Sequence, residues 1–348
     1  MNYKFIESDE ELKNVCDDLL KERIISVDLE ADSMHCFKEK ICLIQIATDK
    51  QAFLIDPLKI KEIPPFIKVL ENNDVIKVFH GADFDIRSLD RDYKARVNNL
   101  FDTEIACRFL GIKERGLAAL LKRNFDLDVD KKFQKVDWAM RPLRQEMIEY
   151  SVGDVAYLTK LYDIIHKKLV ANGRFSWARE EFEIQTRVRY ESNHTLPLYK
   201  KFKGAGKMDN RSLAVLENLL QVRLDIAQKK DQPLFKIFSS LSLITMAQQK
   251  PLTIDHMLRI RAISQKQAGM YGHLCIDAIV KAMALEHKDL PSYPKTRRPK
   301  KNPRVQERIE RLKKMREKTS SSIGIEPGFL LNNALIGSIA FENPADLK

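Results

Sequence analysis

With 348 residues the chain is long enough for two domains, and 44% hydrophobic residues are enough to fill a core, which excludes a wholly disordered protein. The formal net charge of +11 and pI ≈ 9.2 favour a polyanionic partner such as nucleic acid. Cys16, Cys36, Cys42, Cys107 and Cys275 form no CxxC pair and no Cys/His metal spacing, which argues against a disulfide scaffold or a zinc site.

The N-terminal stretch has no apolar signal core and no run nears the ~20 apolar residues of a membrane span, so a cytoplasmic protein without a membrane partner is expected. Polar caps at Ser8-Asp9-Glu10-Glu11 open a helix over residues 9–21. A β-rich run over 24–29 follows, then strands over 41–48 and 52–55 parted by the turn-prone Asp49-Lys50. Residues 64–72 have the pattern of a short helix and 75–79 that of a buried strand. From Phe84 to about Asp163 the apolar spacing is mostly helical, broken near Gly111, Gly116 and Pro142. A long helix is expected over 144–169, stopped at Ala171-Asn172-Gly173, and another over 175–190.

Strands early and helices after them predict an α/β layer in which helices cover a mixed sheet. Residues 1–192 are assigned to this domain and 193–207, rich in Lys with Pro197, Gly204 and Gly206, to a linker. Helices over 212–229, 236–248, 254–259 and 266–284 form an all-α module spanning 208–288. The remainder, 289–348, is expected as a basic linker, a charged helix over 305–318 and a small apolar tail. Residues 291–318 carry twelve Lys/Arg against Glu307, Glu310 and Glu317, so much of the positive charge lies there. Such a stretch suits phosphate backbones, and equally a solvated helix face.

Three short pieces carry the chemistry. In Ile25-Ser26-Val27-Asp28-Leu29-Glu30 the side chains alternate, so the apolar residues face one way and both carboxylates the other. Two adjacent acids repel unless a cation offsets them, and oxygen clusters suit Mg²⁺ or Mn²⁺. In Val78-Phe79-His80-Gly81-Ala82-Asp83-Phe84-Asp85 a strand runs into a glycine turn and then a helix start, where an acid is also favoured by the helix dipole. Periodicity does not separate Asp85 from Asp83 there. Tyr150 and Asp154 stand four residues apart on one helix face, as a metal site with its water would need or as an ordinary helix hydrogen bond.

Jointly the three pieces resemble the DEDD exonuclease superfamily and, within it, the RNase D family. Tyr150-xxx-Asp154 is similar to the tyrosine (DEDDy) branch; the histidine branch has His where Glu149 stands. Residues 41–47, 101–106 and 134–143 also look like RNase D. Asn210-Arg211-Ser212-Leu213-Ala214-Val215-Leu216 opens a stretch similar to the HRDC domain shared by RNase D and RecQ-type helicases. The tail is too short for a complete second HRDC domain.

The resemblance implies an RNase H-like mixed sheet with flanking helices, followed by the HRDC-like module. It further implies that Asp28, Glu30, Asp85 and Asp154 hold two divalent ions, Mg²⁺ or Mn²⁺, about 3.5–4 Å apart. Tyr150 would position the attacking water, since a phenol with pKa ~10 is a poor base at neutral pH. The implied activity is a 3′→5′ exoribonuclease releasing 5′-mononucleotides from single-stranded RNA 3′ ends, above all tRNA precursors. Phe84, Phe133, Trp138 and Arg141 are candidates for substrate contact, with a core tryptophan the competing role for Trp138. A DNA exonuclease and an inactive nucleic-acid-binding scaffold are the competing functions. A monomer without a protein partner is expected.

Overall fold

A computed structural model of the chain describes residues 1–129, 132–191, 197–294 and 302–344. The described residues divide into two compact units. The first comprises Met1–Asp32, Lys40–Tyr190 and the tail from Arg298; the second comprises Ser33–Glu39 and Glu191–Arg297.

The first unit is built on a six-stranded sheet. Its N-terminal elements are β1 (Tyr3–Ile6), α1 (Asp9–Leu19), β2 (Ile24–Ala31), β3 (Ile41–Ala47), β4 (Ala52–Ile55), α2 (Pro64–Glu71), β5 (Ile76–Phe79), α3 (Asp83–Tyr93) and β6 (Leu100–Asp102). Five helices follow: α4 (Thr103–Phe109), α5 (Leu117–Phe125), α6 (Gln145–Val155), α7 (Leu158–Ala171) and α8 (Phe175–Thr186), with the tail returning later. The strand order is β1-β4-β3-β2-β5-β6, antiparallel across β4-β3-β2 and parallel for the other pairs. This is the mixed sheet with flanking helices that the sequence predicts.

Period-two alternation sorts the sheet into two faces. Ile25, Val27 and Leu29 of β2 join Ile44 and Ile46 of β3 in a core closed by α1, α2 and α3. On the opposite face Leu43 and Ala47 pack against Met147, Val152 and Val155 of α6, while Val78 and Phe101 pack against α4 and α7. Asp28 and Glu30 emerge on that second face. The fully buried Lys77 donates to the carbonyl of Asn72, the residue that ends α2, so its ammonium lies where the helix dipole is negative.

Four features differ from expectation. Strands β1 and β6 escape the sequence patterns because four and three residues are too few to show alternation. The helix expected over 144–169 is two helices, α6 and α7, parted at Ala156 and Tyr157. Apolar spacing runs through the break because both helices lie on the same sheet face. Residues 193–207 are not a plain linker: Leu198–Lys201 and Ala205–Lys207 form 3₁₀ turns, and Tyr199 and Ala205 are buried in the helical core of the second unit. Residues 192–196 of that stretch, and the basic residues 295–301, lie outside the described residues.

The tail is the fourth difference. Helices α14 (Pro303–Ile323), α15 (Pro327–Leu330) and α16 (Asn333–Glu342) belong to the first unit, and Ile325 is buried against the α4 and α7 core. Arg174 donates to the carbonyls of Phe109 and Ile323, and Arg115 bonds Glu326 at 2.7 Å.

The second unit contains α9 (Asn210–Lys230), α10 (Leu234–Ile237), α11 (Ser240–Gln249), α12 (Ile254–Arg259) and α13 (Gln265–Met283). Side-chain caps start four of them, at Asp209, Ser239, Thr253 and Ser264. Asp231 takes a left-handed turn at the end of α9, and its carboxylate accepts from the Phe37 backbone N–H at 3.0 Å. Among the described residues no helix is long and apolar enough to cross a membrane, and all five cysteines are free and buried.

Candidate active site

The site forms at the carboxyl ends of β2 and β5, neighbouring parallel strands, where backbone pairing stops and side chains of both strands face the same helix layer. Asp28 and Glu30 project from the end of β2. Asp154 comes from the last turn of α6, which is fastened to β2 by the Ser26 hydroxyl: its oxygen lies 2.9 Å from the carbonyl of Val155 and 3.1 Å from that of Ala47. One carboxylate oxygen from each of Asp28, Glu30 and Asp154 lies within 4.8 Å of the others.

Asp85 enters from the first turn of α3. It falls outside that tight trio, yet its charge is the largest one acting on Asp28. The structure therefore separates the two candidates in the α3 turn. Asp83 is half-exposed and engages Arg87 through two hydrogen bonds of 2.8 and 3.2 Å, whereas Asp85 is buried facing the other acids.

Burial raises the pKa of every member of the group. The Asp28 carboxyl is pushed well above the carboxylate range by desolvation and then by Asp85, Asp154 and Glu30. Desolvation, then the charges of Asp154 and Asp85, push Glu30 up to about 9. Asp85 and Asp154 rise to about 7, again mainly by desolvation, with the Tyr150 hydroxyl pulling Asp154 partly back. Tyr150 itself is raised by burial and by the adjacent Asp154, so its phenol stays protonated and donates. Four clustered acids, of which Asp85 and Asp154 are buried, repel one another unless a cation offsets them, and their donor atoms are all hard carboxylate oxygens. The group thus fits Mg²⁺ or Mn²⁺ and does not resemble a zinc set. Gln45, directly across from Asp28 on β3, is fully buried, and neither polar atom of its amide has a partner.

Asp28, Tyr150 and Asp154 line a cleft of ≈ 920 Å³ whose far wall is the 113–119 loop and the start of α5. Behind Tyr150 stand Phe133 and Trp138, with ring centroids 5.6 and 6.2 Å from it. Of the four candidate substrate contacts, Trp138 takes the competing core role and Arg141 is engaged by its own protein neighbours. Trp138 is 1% exposed and serves as a backing wall for Tyr150. Arg141 has its guanidinium committed to Asp56 at 2.6 and 2.8 Å and to the carbonyls of Cys42, Trp138 and Met140, so it clamps the sheet to the following loop. Phe133 is also buried, under Arg144 and Lys132. Phe84, 46% exposed beside Asp85 in sequence, is the one of the four open to solvent.

Sequence reasoning missed the residues that hold the α3 turn. Asp102 ends β6 and accepts from the backbone N–H groups of Gly81 (3.0 Å), Ala82 (2.8 Å), Glu104 (2.8 Å) and Ile105 (3.2 Å). One carboxylate thus caps α4 and fixes the turn that delivers Asp85. Gly81 has φ +75°, a conformation costly for any residue with a Cβ. An Asp-Thr-Glu run opening a helix was the available signal for the cap; the link to Gly81 required the tertiary fold.

Residues 3–170 match the family described as 3′–5′ exonuclease, and residues 212–279 match the HRDC domain. A ribonuclease D of Desulfotalea psychrophila is 29% identical over 331 residues, covering 94% of this chain and 88% of that protein. The structure of Escherichia coli RNase D, described as an exoribonuclease involved in structured RNA processing, aligns with a TM-score of 0.78 at 22% identity, covering 100% of this chain and 93% of its own; this likeness is one of fold. The catalytic core of RRP6 from Trypanosoma brucei aligns with a TM-score of 0.72 at 27% identity, over 81% of this chain and 80% of its own. The chain therefore carries a 3′–5′ exonuclease domain followed by an HRDC domain, and it is similar to ribonuclease D over nearly its whole length.

Proposed function

We propose that this chain is an exoribonuclease that trims single-stranded 3′ ends of RNA, with tRNA precursors as its substrate class, and that it releases 5′-mononucleotides. The observation that carries the chemistry is the convergence of Asp28, Glu30 and Asp154 within 4.8 Å, with Asp85 beside Asp28. These four acids would hold two divalent ions, Mg²⁺ or Mn²⁺. The ions supply Lewis-acid activation of water and neutralise charge on the departing oxygen. Tyr150 donates to Asp154 and is braced by Phe133 and Trp138, so its hydroxyl is fixed where it can orient a water without serving as the base. Phe84 offers an exposed ring for base stacking near the site. The relatives named ribonuclease D support RNA as the substrate.

The test is digestion of a tRNA carrying a 3′ trailer, alongside RNA and DNA oligonucleotides of equal sequence, in Mg²⁺, Mn²⁺ or EDTA. Metal-dependent, stepwise loss of 5′-mononucleotides from the RNA 3′ end is expected. Faster loss of DNA would replace the RNA reading, and no loss of either would leave a nucleic-acid-binding scaffold.

A further inference from the structure

His80 lies at the end of β5, two residues beyond Val78, the last position of that strand paired with β2; Asp28 lies two residues beyond its partner Ser26. The alternation that turns Asp28 to the helix-covered face turns His80 the same way, and both residues line the cleft with Tyr150 and Asp154. The chemistry of the ring can be read from its neighbours. His80 Nδ1 lies 2.9 Å from Thr103 Oγ1, and Thr103 donates its single hydroxyl proton to the carbonyl of Phe79 at 3.0 Å. With that proton used, Thr103 can only accept from His80, so Nδ1 carries the hydrogen. Burial favours the neutral imidazole over the opposing pull of Asp102 and Glu104. Nε2 is then a bare acceptor on the opposite edge of the ring, and it makes no hydrogen bond with the described residues.

A bare acceptor cannot receive a phosphate oxygen, which has no proton to give. The donors at an RNA 3′ end are base N–H groups and ribose hydroxyls. Base N–H patterns change with every nucleotide removed, whereas the 2′-hydroxyl is present at each step and separates RNA from DNA. We propose that His80 reads the sugar: its Nε2 accepts a hydrogen bond from the 2′-hydroxyl of the nucleotide held at the carboxylates, and so favours ribose over deoxyribose. This rests on the nuclease reading above. His80 is then a specificity residue, and Thr103 the positioning residue that fixes its tautomer.

The test uses the full chain with Mg²⁺ and three RNA oligonucleotides of one sequence, ending in an ordinary, a 2′-deoxy or a 3′-deoxy nucleotide. First-turnover rates are measured for wild type, His80→Ala and His80→Gln, with melting curves to confirm folding. Wild type is expected to remove the ordinary terminus about tenfold faster than the 2′-deoxy one, the size of one lost hydrogen bond. His80→Ala should lose that preference by slowing only the two substrates that keep the 2′-hydroxyl. His80→Gln, which can present an amide oxygen near the position of Nε2, should recover part of it. Equal slowing on all three substrates would make His80 part of the general chemistry and overturn the sugar reading, as would a loss that follows the 3′-hydroxyl. The comparison of termini by wild type alone tests the idea without any variant, since no preference there refutes it. Absence of cleavage of every substrate by wild type would instead overturn the nuclease reading.

Discussion

Replacing Asp154 with Asn should make the metal-free protein more stable, and more so as the pH rises. Asp154 is raised from 3.8 to about 7, mainly by desolvation. The folded state therefore holds its proton through a range in which the unfolded state has released it. Stability falls as pH climbs from the unfolded value of 3.8 towards about 7, and the full penalty is present above that. About three units at 1.36 kcal/mol each set an upper bound on the order of 4 kcal/mol; sharing of the strain among Asp28, Glu30 and Asp85 brings about 2 kcal/mol into view. Asn is isosteric, carries no charge and still accepts from Tyr150, so Asp154→Asn removes the penalty while keeping the contact. In EDTA at pH 8 the variant should melt about 5 °C above wild type, with a smaller gain at pH 5. Saturating Mg²⁺ should raise the wild-type midpoint and leave the variant almost unmoved. A variant no more stable than wild type at pH 8, or one with equal gains at both pH values, would refute this account of the site.

Tyr150→Phe should lower kcat by about 10- to 100-fold, the scale of a mispositioned reactant, while the Mn²⁺ concentration for half-maximal activity stays put; a shift in that midpoint would make the phenol part of metal binding. Arg141→Ala should cost about 3–5 kcal/mol in urea unfolding, because it leaves the Asp56 carboxylate buried without its partner; a near-neutral result would return Arg141 to the substrate-binding candidates. Gly111→Ala should open the tail to limited proteolysis near Gly324, since a Cβ there would stand 2.1 Å from the Gly324 carbonyl oxygen at a φ of +71°. An unchanged digestion pattern would mean that the tail is held by other contacts. Phe84→Ala should raise KM for single-stranded RNA about fivefold or more with stability within about 0.5 kcal/mol of wild type; an unchanged KM would remove the ring from the substrate path.

Much of the site was legible because its parts are local. The strand-end pair Asp28 and Glu30 is visible in a six-residue alternation, and Tyr150 and Asp154 in a single helical turn. Asp85 was legible only as one of two acids. Choosing between it and Asp83 depended on Arg87, one turn further along α3, which engages Asp83 and leaves Asp85 to the buried group. Trp138 and Arg141 were open for the same reason: an aromatic and a cation in a loop suit a substrate path or the core equally, and nothing local shows that Trp138 is buried or that Asp56, far back in sequence, engages the Arg141 guanidinium.

The tail repeats the pattern at the scale of domains. A Pro- and Lys-rich stretch before it suggested an appendage, yet Ile325 completes the nuclease core and Gly111 leaves room for the Gly324 backbone. By itself the sequence determined the elements with strong periodicity, the caps, the candidate carboxylates with Asp83 and Asp85 still unseparated, and the excess of positive charge, because each is set by residues a few positions apart. The tertiary structure alone decided that β2 and β5 end side by side and that Asp102 pins the turn carrying Asp85. It also decided that the tyrosine and the four strand- and helix-borne acids share one desolvated group. Those facts arise from long-range pairing and burial, which raise the pKa of a carboxylate or fix the tautomer of His80 in a way no short stretch of residues encodes.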